Sequence, residues 1–366
     1  MTYRYNCVIC LGELKHIYEI PNYPINFSCV NTPQNKSIDL SYSICTNCGT
    51  LQLDKLASLN DLYEVNHNTV IVGNTWDKYF NLFANNIKEL IKDKNILEIG
   101  CPSAKIASRS IGFNKWYIVQ PKHDSNINVD NVEFIDSYFD ESLDIDKVDV
   151  IIHSHVFEHI YNPHTFLKKC NDLLKEDGIM YFGVPNMEVI AKDNLAPFCG
   201  VMLEHNIFYN IDNIRYLLNI NGFDIVDIVE YEKHSIFFHC IKGNYVKREF
   251  TLNFYDCFMD SLKYYEEFIK RCNTIISNTN KEVYIFGASY NSQLVLNMGL
   301  NISSVKGVID NSKDKQGKYF YGTELKVFSP SILNEIDAVI ILRNGYYSTE
   351  IKEQLLNINN KLIIIN

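Results

Sequence analysis

Among the residues of this chain, two Cys-x-x-Cys pairs have the type and spacing best suited to a chemical role. The pairs are Cys7 with Cys10 and Cys45 with Cys48. Four thiolates are a donor set that Zn²⁺ takes in closed, tetrahedral structural sites. Gly12 and Gly49 follow the two pairs closely and can form the tight turns that such a site needs. The spacing predicts a structural zinc ion, with a redox dithiol as the alternative.

Composition narrows the class of protein further. The chain has 366 residues, with 34 Lys+Arg against 44 Asp+Glu and a net charge of −10. This acidic balance argues against binding nucleic acid through bulk charge, which needs a basic face. No apolar run approaches the ~18–20 residues of a membrane span, and the N-terminus lacks the apolar region of a secretory signal. Eleven cysteines, an odd number, argue against a disulfide framework, so we expect a cytoplasmic protein.

Alternating strands and helices follow the cysteine-rich segment. Between Trp76 and Ile91, apolar side chains recur every three to four residues, which predicts an amphipathic helix. A second helix is predicted over Phe166–Lys175. The predicted strands are Asn95–Gly100, Trp116–Val119, Val132–Ile135, Val148–Ile152 and Gly178–Gly183. Strands that alternate with helices predict an α/β fold with a parallel, doubly wound sheet.

A second, shorter series of the same kind lies in the C-terminal third. A long helical pattern over Phe254–Ile276 precedes it. The predicted strands are Glu282–Ala288 with its glycine turn, Val305–Asp310, Ala338–Leu342 and Lys361–Ile365. We therefore predict a zinc-binding ribbon over residues 1–62, a central doubly wound domain over 63–245, and a smaller Rossmann-like α/β domain over 246–366.

Motifs at the ends of the predicted strands occur in a characteristic order. Glu98 and Gly100 end the first central strand, where a doubly wound sheet binds a nucleotide-like ligand at its carboxyl edge. The run Val148–Leu167 contains a Glu-His pair, and Leu173–Asn186 leads through a glycine turn into the fifth strand. At these residues the chain resembles the class I S-adenosylmethionine (SAM)-dependent methyltransferases.

The resemblance extends over the whole chain. Phe286–Ser289 and Val308–Gly317 are similar to the glycine turn and the following loop of the sugar C-methyltransferases. Glu204 and His205 are similar to that family's acidic residue–histidine segment. A four-Cys ribbon, a SAM domain and a C-terminal α/β domain form its architecture. The resemblance implies methylation of a carbon in a nucleotide-linked ketodeoxysugar, used in surface-glycan synthesis.

Methylation of a carbon beside a ketone requires a base that removes the α-proton. The resemblance implies His205 as that base, with Glu204 orienting it or holding sugar hydroxyls. It places His159 beside the methyl donor. It also places His234 near the sugar, although this histidine has an alternative interpretation as a simple surface residue.

SAM is the cofactor that the resemblance implies. Its adenine is expected by Asp136, its ribose by Gln120 and its methionine end along Glu98–Ala104. The residues expected to bind SAM are Glu98, Gly100, Ala104, Gln120, Asp136 and His155.

The chain departs from the family's pattern at several of these positions. Pro102 and Ala104 replace two glycines of the SAM loop, and a Cβ at position 104 is expected to crowd the cofactor. Gln120 replaces an acidic residue, which weakens the hydrogen bond to the ribose. The family's tyrosines are missing near Asn66–Asn68 and ahead of Glu204. These departures favour an alternative, a catalytically degenerate protein that binds a nucleotide sugar or scaffolds a partner enzyme.

Another alternative is a methyltransferase of the same fold that acts on an oxygen or nitrogen of a different acceptor. The C-terminal turn at Gly287 lacks the GxGxxG pattern of dinucleotide binding, so we expect that domain to complete the sugar-nucleotide pocket or to pack against the SAM domain. The expected partner is the nucleotide-linked sugar, with no nucleic acid and no membrane. Oligomeric state, the identity of the sugar and the methylated atom stay open.

Overall fold

The computed structural model describes residues 2–26, 28–62, 74–101, 103–121, 127–187, 189, 202–243, 250, 254–343 and 348–366. Pro102 and the segment 66–68, both singled out in the sequence, lie outside the described residues. Across the described ranges, no helix combines the length and the apolar character that crossing a membrane requires.

The N-terminal part is a small antiparallel sheet with short flanking strands. Its elements are β1 (Thr2–Tyr3), β2 (Leu14–Pro24), β3 (Cys29–Val30), β4 (Ser37–Cys45), β5 (Leu51–Leu53), β6 (Lys55–Leu56) and helix α1 (Leu59–Leu62). The sheet runs β2, β4, β5 and then a strand from much later in the chain, Ile207–Phe208. Residues directly after His205 are therefore held by the N-terminal sheet.

The central sheet has seven strands. The elements of this part of the chain are α2 (Asn74–Ile87), β7 (Asn95–Ile99), β8 (Lys115–Val119), β9 (Val132–Ile135), β10 (Val148–Ser154), α3 (Pro163–Leu173), β11 (Leu174–Pro185), β12 (Ile207–Phe208) of the N-terminal sheet, α4 (Ile211–Ile220), β13 (Phe223–Tyr231) and β14 (Ser235–Lys242). The order is β13, β14, β11, β10, β7, β8, β9, and β14 is antiparallel to both of its neighbours. The strand order reverses beside β7, so the ligand crevice belongs at the carboxyl ends of β7 and β10.

Most predicted central elements are present, with shifted ends. Helix α3 begins at Pro163 because Asn162 caps it, its Oδ1 accepting from the amide of Thr165 at 3.2 Å. Strand β10 continues to Ser154 because that residue is paired with Gly183 of β11. The hairpin of β13 and β14 was not predicted, and it adds the two outer strands of the sheet.

The C-terminal part is a five-stranded parallel sheet in the order Val327–Phe328, Val305–Ile309, Glu282–Phe286, Ala338–Leu342 and Ile363–Ile365. Its elements are α5 (Tyr255–Asn278), β15 (Glu282–Phe286), α6 (Tyr290–Asn297), β16 (Val305–Ile309), β17 (Tyr319–Phe320), β18 (Val327–Phe328), β19 (Ala338–Leu342), α7 (Ser348–Ile358) and β20 (Ile363–Ile365). Helix α5 joins this sheet to the N-terminal one through a single apolar core, in which the rings of Tyr42 and Phe258 are 5.1 Å apart.

Candidate active site

The four predicted zinc ligands come together beside the N-terminal sheet. All four Sγ atoms lie within 4.8 Å of one another. The Sγ atoms of Cys7 and Cys48 are 3.6 Å apart, and those of Cys10 and Cys45 are 3.5 Å apart. Zn–S bonds of about 2.3 Å in a tetrahedron put neighbouring sulfurs about 3.8 Å apart. The geometry of the cluster therefore fits a four-thiolate zinc ion.

N–H groups around the cluster point at the sulfurs. The amide of Ile9 donates to Cys7 Sγ at 3.3 Å, and Asn47 Nδ2 donates to Cys10 Sγ at 3.3 Å. Such outer hydrogen bonds orient metal ligands and stabilise their thiolate form. A Cβ at Gly12 would lie 3.2 Å from both Cys10 Sγ and Cys45 Sγ, so a larger residue would crowd the cluster.

The carboxyl ends of β7 and β8 lie side by side at the edge of the sheet where a doubly wound fold binds its ligand. Gly100 has a φ of +77°, and a Cβ there would lie 2.7 Å from Cγ2 of Val156 and 3.9 Å from Oε1 of Gln120. The bare backbone of Gly100 therefore fits closely between these two side chains. Asp136 directly follows β9, on the same edge of the sheet. The structure thus brings Gly100, Gln120 and Asp136, three of the residues expected to bind SAM, to one edge of the sheet.

Two of the residues expected to bind SAM have their side chains in the interior. Glu98 is only 1% exposed, and its Oε2 accepts from the indole N–H of Trp116 at 2.8 Å. Burial raises the pKa of Glu98 to about 7. Ala104 has a φ of +45° and is 0% exposed within the apolar core beside α2. Its methyl group therefore packs within the core, and the expectation that this Cβ crowds SAM stays a prediction.

A buried carboxylate stands beside the crevice. Glu158 is fully buried, and its Oε1 lies 3.2 Å from Nδ1 of His155. Burial alone would raise the pKa of Glu158, but the hydrogen bond from His155 and the charges of His155, His159 and His205 lower it to about 2. His155 adopts a φ of +51° and donates its amide to the carbonyl of Gly183 at 2.8 Å. This conformation turns its ring toward Glu158.

The two histidines predicted for catalysis lie against each other. The rings of His159 and His205 are 4.7 Å apart and perpendicular. A nitrogen of each lies within 4.8 Å of a carboxylate oxygen of Glu158. Burial of Tyr161 raises the pKa of its phenol to about 12. The negative charge of the nearby Glu204 carboxylate also raises this pKa. The structure thus brings together three residues predicted for catalysis, His159, Glu204 and His205, and adds Glu158, which was not assigned a role.

Arg4 is a further residue that the sequence did not single out. Its guanidinium donates to the carbonyl of Tyr161 at 2.8 Å and to Oδ1 of Asn206 at 2.6 Å. Asn206 in turn donates Nδ2 to the carbonyl of Glu158 at 3.1 Å. Arg4 therefore ties the N-terminal segment to the backbone on both sides of the histidine pair. A lone arginine at the start of a chain carries no sequence signal for such a role.

His234 is half-buried in an aromatic cluster, so its interpretation as a simple surface residue is wrong. Its ring is 4.7 Å from that of Trp76 and perpendicular to it. Its Nδ1 lies 2.6 Å from Oγ of Ser235. Burial, together with the positive charge of His155, lowers the pKa of His234 to about 4. This residue lies on the turn between β13 and β14, on the same side of the sheet edge as His155.

The two C-terminal motifs meet at the ends of β15 and β16. Oδ2 of Asp310 accepts from the amide of Ala288 at 2.8 Å and from Nζ of Lys315 at 3.3 Å. Lys315 also donates to the carbonyl of Ala288 at 2.9 Å. These bonds hold the glycine turn and the following loop together at the carboxyl edge of the second sheet, where α/β sheets bind ligands.

Comparison with known families decides the class. Residues 74–228 match the family described as a methyltransferase domain. The chain carries a methyltransferase domain. Residues 247–363 match a second family, the C-methyltransferase C-terminal domain. These matches confirm the predicted enzyme class, a SAM-dependent methyltransferase, at the level of the domains.

Individual relatives of this methyltransferase are distant. A ubiquinone biosynthesis O-methyltransferase of Glaesserella parasuis is 42% identical over 43 residues, which are 12% of this chain and 18% of the relative. The chain thus spans less than a fifth of that relative's length.

Solved structures are more distant still in sequence. The 1,6-didemethyltoxoflavin-N1-methyltransferase of Burkholderia thailandensis is 15% identical, with a TM-score of 0.40 over 55% of this chain and 96% of that one. The magnesium protoporphyrin IX methyltransferase of Synechocystis is 12% identical, with a TM-score of 0.37 over 49% and 89%.

Proposed function

We propose that this methyltransferase transfers a methyl group from SAM to a carbon beside the ketone of a nucleotide-linked sugar, in surface-glycan synthesis. The observation that carries the proposal is the perpendicular pair of His159 and His205 beside the buried carboxylate of Glu158. The match to a C-methyltransferase C-terminal domain supports carbon as the acceptor atom.

Removal of the α-proton is the difficult step, because a carbon acid is much weaker than any side-chain acid. His205 would take this proton on a ring nitrogen, and the electron pair of the C–H bond would pass to the ketone oxygen as an enolate. The negative charge of Glu158 stabilises the imidazolium that forms, since it lies within reach of both histidines. Glu204 would hold hydroxyls of the sugar.

The crevice beside Gly100 supports SAM as the methyl donor. Its methionine end would follow the backbone of Gly100, its ribose would meet Gln120, and its adenine would lie by Asp136. SAM supplies an electrophilic methyl group, and His155 at the end of β10 would face it. We expect the four cysteines to hold a structural zinc ion, since four thiolates leave no open coordination position.

The C-terminal domain would complete the pocket for the nucleotide. Its motifs at Ala288 and Asp310 occupy the sheet edge where such a ligand binds. One competing function has specific support. Gln120 lacks the charge that strengthens a bond to the ribose, and this favours a catalytically degenerate protein that binds a nucleotide sugar.

Two measurements test the proposal. Calorimetry with SAM and S-adenosylhomocysteine first asks whether the crevice binds the cofactor. Transfer from labelled SAM to a panel of nucleotide-linked 4-ketosugars, with deuterium wash-out at the α-carbon, then follows proton removal and methylation. Binding with wash-out and transfer is the expected result. Binding with methylation of an oxygen or nitrogen instead would contradict carbon as the acceptor, and no SAM binding would favour the degenerate scaffold.

A further inference from the structure

Besides the four cysteines, the described residues contain a second group of side chains that could hold a metal ion. It consists of Glu158, His159 and His205. One carboxylate oxygen and one nitrogen of each ring all lie within 4.8 Å of one another. Two imidazoles and a carboxylate are the ligands of many catalytic zinc and non-haem iron sites, which leave coordination positions open. The group therefore has the composition of an open metal site.

Backbone hydrogen bonds hold together the two segments that supply these side chains. The backbone amide and Nδ2 of Asn206 both donate to the carbonyl of Glu158, each at 3.1 Å. The amide of His159 donates to the carbonyl of Val156 at 3.0 Å, which closes a short 3-10 turn over Phe157–His159. The fold itself thus brings the three side chains together, as a preorganised site requires.

The carboxylate of Glu158 is the second observation that points to a ligand. Glu158 is 0% exposed. Its Oε1 lies 3.2 Å from Nδ1 of His155, whereas its Oε2 has no hydrogen-bond partner among the residues that the structure describes. A buried carboxylate oxygen without a donor is costly, and a bound cation would remove that cost.

The two histidines give an ion access to this carboxylate. His159 and His205 are partly exposed, and their rings are perpendicular with centroids 4.7 Å apart. Zinc bonds of about 2.1 Å in a tetrahedron put neighbouring ligand atoms about 3.4 Å apart. Small rotations of the partly exposed rings are sufficient to reach that spacing from the observed limit of 4.8 Å.

We propose that Glu158, His159 and His205 bind one divalent transition-metal ion such as Zn²⁺, separate from the ion of the four cysteines. Imidazole nitrogens favour zinc, cobalt and nickel, whereas Mg²⁺ and Ca²⁺ prefer sites made of oxygen atoms. Three protein ligands leave a coordination position open to water, so this ion is expected to exchange more readily than one enclosed by four thiolates.

Resting on the function proposed above, the bound ion inhibits methyl transfer. A neutral imidazole has one nitrogen with a free lone pair, and its other nitrogen carries a proton. Whichever nitrogen of His205 binds the ion, no lone pair then remains to take the α-proton of the sugar. The same three side chains thus serve either as the base with its carboxylate or as a metal site.

Calorimetric titration of the full chain, first loaded to one zinc ion per chain, tests the site. We expect Zn²⁺ and Co²⁺ each to bind at one further ion per chain, and Mg²⁺ and Ca²⁺ not to bind. The added Co²⁺ should lack the strong sulfur-to-cobalt absorption of a thiolate site, which identifies nitrogen and oxygen ligands.

Variants of the two partly exposed histidines assign the ligands without disturbing the buried Glu158. His159→Ala and His205→Ala should each weaken binding of the second ion by at least roughly 100-fold, because loss of an outer-shell partner alone costs 10–100-fold. His16→Ala, an exposed histidine of β2, is the matched control and should bind the second ion as the wild type does. No second ion, equal binding of Mg²⁺, or unchanged Zn²⁺ affinity in both histidine variants would overturn the site.

Activity separates the metal site from the proposed reaction. If ketosugars are methylated, free Zn²⁺ at about ten times its dissociation constant should lower turnover roughly tenfold, because about one site in eleven stays free. Dilution should restore turnover while the zinc of the four cysteines is retained. Turnover that is unchanged or raised with the second site filled would overturn the inhibition. A second ion that binds to a chain that methylates no ketosugar would leave the metal site standing and the proposed function refuted.

Discussion

The guanidinium of Arg4 and the side-chain oxygen of Asn206 form a 2.6 Å hydrogen bond that crosses from the N-terminal segment to the candidate active site. Asn206 follows His205 and also donates to the carbonyl of Glu158, which precedes His159. Arg4 and Asn206 therefore connect the two backbone segments that carry His159 and His205. Burial lowers the pKa of Arg4 to about 10, so the side chain stays charged at neutral pH.

Replacing Arg4 by alanine should loosen this arrangement. The variant leaves three backbone carbonyls and the Asn206 amide oxygen without their charged donor, which should lower the free energy of unfolding by about 2–3 kcal/mol. Misplacing the histidines should lower turnover by roughly 10–100-fold. Denaturant unfolding and methyl-transfer assays measure both effects. The control is Arg271→Ala, whose guanidinium bonds to the C-terminal Asn366 far from the site, and equal effects in both variants would contradict the role of Arg4.

The four-cysteine cluster should contain one zinc ion per chain. Cys45→Ser removes one thiolate, so we expect the ion to be lost and the N-terminal sheet to unfold, because structural zinc sites contribute directly to folding. Elemental analysis and hydrogen exchange over residues 1–62 measure this. Cys170→Ala, which alters a buried cysteine outside the cluster, should keep its zinc. Wild-type protein purified without chelator yet free of zinc would show the prediction to be wrong.

Glu98 should make folding stability depend on pH. Burial raises its pKa from 4.5 to about 7, so the folded chain keeps this proton at pH values where the unfolded chain has lost it. Stability therefore falls as the pH rises from about 4.5 to about 7, by roughly 3 kcal/mol from this residue.

Glu98→Gln should remove that dependence, because an amide does not titrate and its oxygen can still accept from Trp116. The variant should gain stability over the wild type at pH 8 and differ less from it at pH 4.5, as measured by denaturant unfolding across this range. Glu133→Gln, which alters an exposed glutamate paired with Lys115, is the matched control. The same pH slope in the wild type and in Glu98→Gln would refute the assignment.

His205→Ala should lower turnover by about 10²–10⁴-fold, the range for loss of an acid–base group. Deuterium wash-out at the α-carbon should fall in parallel, while SAM affinity by calorimetry should hardly change because His205 is assigned to the acceptor side. His16→Ala, an exposed histidine of β2, should leave all three quantities unchanged. Wash-out that persists at the wild-type rate in His205→Ala would exclude this residue as the base.

Local patterns in the sequence were sufficient to predict the fold of the central sheet and the cysteine cluster. Strands such as Ala338–Leu342 are short apolar runs whose burial depends on composition alone, so their bounds were predicted correctly. The two Cys-x-x-Cys pairs converge because each brings two ligands on one turn. The β13–β14 hairpin was missed, because its burial pattern depends on packing against β11 and not on a regular alternation.

The candidate site likewise has some features that the local sequence predicts and others that depend on tertiary contacts. The sequence by itself determined which groups can do chemistry: His159, His205 and the glycine turn at Gly100 are recognisable from their types and neighbours. Only the tertiary structure decided that Arg4 holds the histidine pair, that Ala104 faces the core, and that Ser235 joins His155 to His234. These contacts link residues up to 202 positions apart. Local propensity carries no information about such distances, because the chain's long-range packing alone brings those side chains within hydrogen-bonding range.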